Sequence, residues 1–304
     1  MAAKKVKRRR GKKIGLISFV LILAVLAIVA VENFVPGGLA NLFGEKAVAP
    51  VDGEAVFHFI DVGQADAALI CTPEGNVLID AGTGAAEQEL KAYLDAQGIK
   101  TIDYAIFTHP HEDHIGGADT IMKSFDVKNV IMPDKTHTSA TYNKMMDAIE
   151  DSKARVIVAA PDATYSVGNL KLTVLAPLKS GYADLNNYSV VVRVDFGETS
   201  ALFSGDAEKV SEDEMIARYG MSGKLNCDLL KVGHHGSDSS TTQAFLDKVS
   251  PSVAVISCGE GNDYGHPTQL ILDRLNKGNI PYYRTDLEGT IVFVSDGDSL
   301  TKKN

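Results

Sequence analysis

Four side chains of metal-binding type fall within six residues: His109, His111, Asp113 and His114. They directly follow an apolar run, Tyr104–Thr108, and precede Gly116-Gly117. Crowded together without a cation, such groups would repel one another on protonation and gain nothing. The cluster therefore demands a fold that ends a buried strand in a loop and holds that loop against other chemistry. It is not the H-E-x-x-H helix motif, because Glu112 has a single residue before the next His. In a strand-end loop, His109 and His111 are two apart and can point the same way, toward a first ion. Asp113 and His114 fall on the following turn and can face a second. The two glycines let backbone pass close to the site and open a helix.

Three further apolar runs end in polar punctuation. Ala201–Ser204 leads into Gly205-Asp206, and Asp206 can bridge two cations with its two oxygens. Leu229–Val232 leads into Gly233-His234-His235-Gly236-Ser237, which supplies a later imidazole from His234 or His235, with His234 placed among the ligands. His266, alone before Pro267, suits a substrate or supporting contact better than a ligand position. Asp80, after Val77–Ile79, either orients a ligating His from behind or closes a strand-end turn. Helical spacing is expected over 86–97, 142–152, 208–219, 242–249 and 268–277. Strands are expected around 55–60, 67–71, 156–159, 170–175, 190–196, 253–257, 282–284 and 290–294, with another short strand ending at Ile131-Met132. The body thus alternates short strands and helices in two similar halves.

These motifs together resemble the metallo-β-lactamase superfamily over roughly residues 54–296. Phe59-Ile60-Asp61-Val62-Gly63-Gln64-Ala65-Asp66-Ala67, Leu78-Ile79-Asp80-Ala81-Gly82, Lys231–Ser237 and Gly265-His266-Pro267 are similar to one branch of it. That branch holds the hydrolase-like domain of ComEC-type competence proteins and, more distantly, teichoic acid phosphorylcholine esterases. The resemblance implies an α/β fold, an αββα sandwich with the site at one edge of its two sheets, and a mono- or dinuclear Zn²⁺ or Mn²⁺ centre. Carried over, His109 and His111 ligate the first ion, Asp113 and His114 the second, Asp206 bridges, and His234 (or His235) is the later His. The superfamily usually has a separate third His before the bridging Asp. Here Asp184–Ser189 reads DLNNYS, the Asn pattern common in the competence branch, which leaves the first ion more loosely held.

The implied chemistry is hydrolysis by a metal-activated hydroxide. Asp113 or Asp206 accepts the water's proton; His235 and His266 contact the substrate oxyanion or leaving group. The expected substrate contains a phosphodiester, in nucleic acid or a wall polymer. The alternatives are an ester, lactone or amide hydrolase of β-lactamase type, and a non-catalytic binding module on the same fold.

The N-terminal stretch carries a separate expectation. Residues 14–31 are uncharged and apolar, long enough to span about 27 Å as a helix. Residues 1–13 carry eight Lys or Arg and no acid, and should stay cytoplasmic. A basic tail (1–13), a transmembrane anchor (14–35), a Gly/Pro-rich linker (36–53) and an extracytoplasmic hydrolase domain (54–304) are expected; the rival for the apolar run is a cleaved signal. Beyond the tail stand 22 basic against 39 acidic residues. So acidic a body disfavours broad counterion-release binding of nucleic acid but permits local engagement of a polyanion through metal cations. Three scattered cysteines exclude a disulfide scaffold or zinc finger.

Overall fold

The central strands of this chain bury both faces, and the alternation along each one says against what. In β1 (Ala55–Phe59), Phe57 and Phe59 point one way and His58 the other. In β10 (Thr199–Phe203), Ala201 and Phe203 face one core and Leu202 another. A strand apolar on both faces needs a cover on each, which a sheet-on-sheet packing flanked by helices provides. The computed structural model describes residues 47–303 and shows that arrangement. The expected membrane segment and basic tail lie outside the described residues. Among the described residues, no helix is long and apolar enough to cross a membrane.

The first sheet has eight strands. It comprises β1, β2 (Ala68–Thr72), β3 (Gly75–Ile79), β4 (Thr101–Ile106), β5 (Asp126–Met132), β6 (Arg155–Val158), β14 (Ile291–Ser295) and β15 (Leu300–Lys303). Their order is β15-β14-β1-β2-β3-β4-β5-β6. The second sheet has seven: β7 (Thr164–Val167), β8 (Leu170–Ala176), β9 (Val191–Phe196), β10, β11 (Leu229–Lys231), β12 (Val253–Ile256) and β13 (Tyr282–Arg284), ordered β13-β12-β11-β10-β9-β8-β7.

Each half contains a parallel run built from helical crossovers. β3, β4, β5 and β6 pair in parallel. They are linked by α1 (Glu87–Ala96), α2 (Glu112–Ile115) with α3 (Ala118–Ser124), and α4 (Ala140–Ser152). β10 to β13 also pair in parallel, through α5 (Lys209–Tyr219), α6 (Gln243–Val249) and α7 (Gln269–Lys277). A last short helix, α8 (Thr285–Glu288), precedes β14. Loops at the carboxyl ends of such strands are where open α/β sheets place ligands. Here they carry Asp80 after β3, His109 after β4, Asp206 after β10 and His234-His235 after β11.

Three cores hold the layers. Between the sheets lie Phe57, Ile70, Ile106, Leu172, Val192 and Phe203, with Phe59 stacked on Phe203 at 5.6 Å between ring centroids. Outside the first sheet, Leu90 and Leu94 of α1 and Met145 and Ile149 of α4 repeat every fourth residue and cover Leu69, Leu78 and Ile102. Outside the second, Met215, Phe245 and Ile271 of the later helices cover Leu202 and Leu230. The layers therefore run helix, sheet, sheet, helix.

The expected helices form within two residues of their predicted ends. β7 and β15 were not predicted. Both are edge strands with exposed positions, reading TYSV and LTKK, so no apolar run marks them.

Candidate metal centre

The His cluster is held in place by Asp80. At φ +60° this residue turns sharply at the end of β3. Its Oδ1 accepts the Thr108 N–H at 2.8 Å, and its Oδ2 accepts the Thr108 hydroxyl at 2.7 Å. The same Oδ2 lies 2.7 Å from His114 Nδ1. That contact turns His114 Nε2 forward. The two loops are zipped together by Ala81 N–H to His114 O (2.7 Å) and Gly116 N–H to Gly82 O (2.8 Å). Gly116 makes this approach possible, since a Cβ there would sit 2.2 Å from Gly84 N. The one-turn α2 then presents Asp113 and His114 side by side.

Asp206 arrives from the other sheet. Gly205 takes φ +51°, and a Cβ there would lie 3.0 Å from Thr108 Cβ. The Asp206 N–H donates to Ser189 Oγ at 3.0 Å. His234 and His235 are successive residues in the left-handed region, φ 50° and 54°, between Gly233 and Gly236. Two strained non-glycine residues in a row need a reason, and such strain collects at functional sites. Here it directs two adjacent imidazoles to the same edge. His235 Nδ1 lies 3.0 Å from Ser257 O and 3.2 Å from Asp66 Oδ1, which leaves Nε2 facing Asp113 (3.3 Å) and Asp206 (3.7 Å).

Three groups of donors each lie within 4.8 Å of one another; the buried Asp66, Asp80 and His114 stand behind the cluster, and the other two share Asp206. Asp113, His114, Asp206 and His235 form one; His109, His111 and Asp206 form the other. Asp206 belongs to both, as a bridging carboxylate must. Donors about 2.0–2.2 Å from one ion lie at most about 4.4 Å apart, and His114 Nε2 to Asp206 (3.2 Å), His235 Nε2 to Asp113 (3.3 Å) and His109 Nε2 to Asp206 (3.8 Å) fall inside that limit. The buried His114 Nε2, His235 Nε2 and Asp206 Oδ1 make no hydrogen bond, so the donor atoms turned inward are those left uncommitted. The residues fit a metal centre.

Burial by itself would lower the His114 and His235 imidazoles, yet the surrounding carboxylates override it. Asp206, Asp80 and Asp113 raise His114 well above the usual histidine range; Asp206, Asp66 and Asp113 raise His235 to about 10. Burial likewise pushes Asp206 up, and the His114 and His235 charges carry it well below the usual range. His109, by contrast, is driven well below its ordinary value by burial and by the charge on His114. The four-residue group is thus a place that favours positive charge.

The expected site residues sort as follows. His109, His111, Asp113, His114 and Asp206 come together. His235 stands in the four-residue group where His234 was expected. His234 is beside it, its Nε2 3.7 Å from Asp206 and its Nδ1 3.0 Å from Ser239 Oγ. Side-by-side histidines give no sequence cue to which ring faces in; the Ser257 carbonyl behind His235 decides it. His266 lies outside these groups, its ring 5.6 Å from that of His234 and stacked on exposed Tyr264. Asp80 sits behind His114. In the stretch lacking a third His, Asn187 bonds Glu208 and the Ser211 N–H, while Asn186 Oδ1 is buried without a hydrogen bond. Asp66 stands in the opening-hairpin motif with no role assigned from sequence; an acid inside that apolar hairpin is the signal of its place behind His235.

Residues 60–260 match the metallo-beta-lactamase superfamily. The chain is 32% identical over 261 residues to ComE operon protein 3 of Bacillus subtilis (strain 168), covering 80% of this chain and 33% of that protein. It is 29% identical over 256 residues to Competence protein ComA of Neisseria gonorrhoeae, covering 84% and 34%. The chain therefore spans about a third of the length of these curated relatives. Its fold is similar to that of the metallo-beta-lactamase fold protein YhfI from Bacillus subtilis, with a TM-score of 0.54 and 12% identity, over 80% of this chain and 99% of that one.

Proposed function

Since this chain belongs to the metallo-beta-lactamase superfamily, we propose that it is a metal-dependent hydrolase of phosphodiester bonds. The observation that carries this reading is the pair of donor groups sharing Asp206. His109, His111 and Asp206 would hold one cation, and Asp113, His114, Asp206 and His235 the other, with Zn²⁺ or Mn²⁺ the candidates. Two such ions supply a nucleophile from water near neutral pH and neutralise charge that develops on a phosphoryl group.

The chain's own residues do the rest. Asp206 is 1% exposed, whereas the Asp113 side chain is 34% exposed. Asp113 is therefore the group that takes a proton from the water and passes it out. His266 and Tyr264 stand at the rim, where they contact the leaving group or the next unit of the substrate. His235, clamped from behind by Ser257 and Asp66, keeps its Nε2 toward the reacting centre.

The substrate we propose is nucleic acid, on the similarity to proteins named for competence, with a wall polymer as the other phosphodiester candidate. The acidic body suits local engagement at the metals better than tight holding of a long polyanion. We further place the domain outside the cytosol on a single N-terminal anchor, from the apolar residues 14–31 behind eight basic ones. Protease added to intact, wall-stripped cells should then digest the domain; protection would reverse the orientation.

The activity is tested with bis-p-nitrophenyl phosphate, single-stranded DNA, a phosphorylcholine ester and nitrocefin, each with Mn²⁺ and with Zn²⁺. Turnover of the first two is expected. Turnover of nitrocefin alone would move the protein to the β-lactamase type. A metal-loaded protein inert to all four would make it a binding module.

A further inference from the structure

The four-residue group is backed by a buried ion pair, Asp66 and Lys231, that takes no part in the proposed proton transfer. Asp66 is 5% exposed and Lys231, on β11, 4% exposed. Lys231 Nζ lies 2.8 Å from Asp66 Oδ2 and donates to Val232 O at 2.9 Å. The other oxygen, Oδ1, makes no hydrogen bond but lies 3.2 Å from His235 Nδ1, whose own hydrogen bond goes to Ser257 O, so its hold on the imidazole is electrostatic. Through its backbone, the Asp66 N–H donates to Asp113 O at 3.1 Å, and Asp66 O accepts from Gly82 N at 2.9 Å. One residue thus touches the side chain of His235 and the main chain of Asp113, two of the four donors. Asp80 fixes a third, His114.

The group of His109, His111 and Asp206 has no such support. His109 Nδ1 faces only hydroxyls, Thr108 at 3.2 Å and Ser189 at 3.4 Å. His111 is partly exposed, and its Nδ1 meets His109 Nε2 at 2.9 Å. Among the described residues, no carboxylate stands behind either ring. Donors already fixed in place lose less freedom when an ion binds, and carboxylate partners behind ligating histidines raise metal affinity.

We propose that Asp66, neutralised by Lys231, is the positioning residue of the Asp113–His114–Asp206–His235 position, and that it makes this position the tighter of the two. The first ion, at His109 and His111, is the exchangeable one. Lys231 is needed because Asp66 would otherwise be a further uncompensated carboxylate close to Asp80, Asp113 and Asp206. This inference rests on the metal-centre reading above.

The test titrates metal-free full-length protein with Co²⁺, read by visible absorption and by elemental analysis. The wild type should bind in two steps, one equivalent tight and one weak. Asp66→Asn alone strands a buried Lys231 and is prone to misfold, so the informative protein is Asp66→Asn with Lys231→Met. With native circular dichroism, it should bind the tight equivalent about 10–100-fold more weakly and the weak one unchanged. His111→Ala should lose the weak equivalent only. Two wild-type steps and an unaltered double variant would overturn this inference alone, as would loss of the weak step in the double variant. A wild type that binds no cobalt would overturn the metal-centre reading, and this inference with it.

Discussion

Asp80→Asn separates a residue that tunes a metal ligand from one that merely closes a turn. Asparagine tolerates the left-handed φ of +60° at this position, so the backbone is not the variable. Two carboxylate oxygens here face three groups: Thr108 N–H, the Thr108 hydroxyl and His114 Nδ1. An amide offers one oxygen. Whichever way it is turned, its NH₂ opposes at least one donor, all of them buried. Stranding one such donor costs about 1–3 kcal/mol. That loss should appear in urea unfolding of metal-free protein. A second loss should appear only with metal present. If Asp80 orients His114, affinity falls about 10–100-fold. At a fixed, saturating metal concentration, the metal-dependent gain in stability then shrinks by about 1.4–2.7 kcal/mol. The measurement is unfolding free energy with chelator and with Mn²⁺, for both proteins. A variant destabilised in chelator but with an undiminished metal increment would refute the argument and leave Asp80 as a turn residue.

Three other outcomes are expected. His114→Ala and Asp206→Ala should each cut phosphodiester hydrolysis about 10³-fold or more, whereas His266→Ala should cost roughly 10–100-fold with metal content and stability unchanged. An inactive His266→Ala that also loses an equivalent of metal would make His266 a ligand. Gly116→Ala should fail to form the site, because the new Cβ meets Gly84 N, Thr83 C and Glu112 O within 2.6 Å; soluble, metal-binding Gly116→Ala protein would contradict this packing. Burial pushes Glu212 up to about 7 even though it accepts from the Thr241 and Thr242 N–H groups and lies near Arg274. With the folded value above the unfolded one, its contribution is full below about pH 4.5 and is lost as pH rises through about 7. In chelator, wild type should therefore lose up to about 3 kcal/mol relative to Glu212→Gln across that interval; a difference rising with pH would refute it.

Much of this arrangement was legible because the chemistry sits at the ends of apolar runs. His109, Asp206 and His235 each follow a strand whose burial is written in its side chains. Parallel strands covered on both faces need no alternation, so β4, β10 and β11 stood out. What was hidden depends on contacts distant in sequence. The choice between His234 and His235 is made by Ser257, 22 residues on. Asp66 becomes important only when β11 brings Lys231 to it. The edge strands β7 and β15 pair on one side and keep exposed, polar positions, so nothing in their composition sets them apart from loops.

The central claim is that the shared-carboxylate centre hydrolyses phosphodiesters through metal it holds. Chelator-stripped full-length protein, back-titrated with Mn²⁺ or Zn²⁺ while bis-p-nitrophenyl phosphate turnover is followed, tests it most directly. Turnover should be absent without metal and rise to a plateau as two equivalents are bound, and Asp206→Ala should stay flat throughout. Turnover that survives stripping, or a protein that takes up metal and leaves the diester intact, would contradict the account.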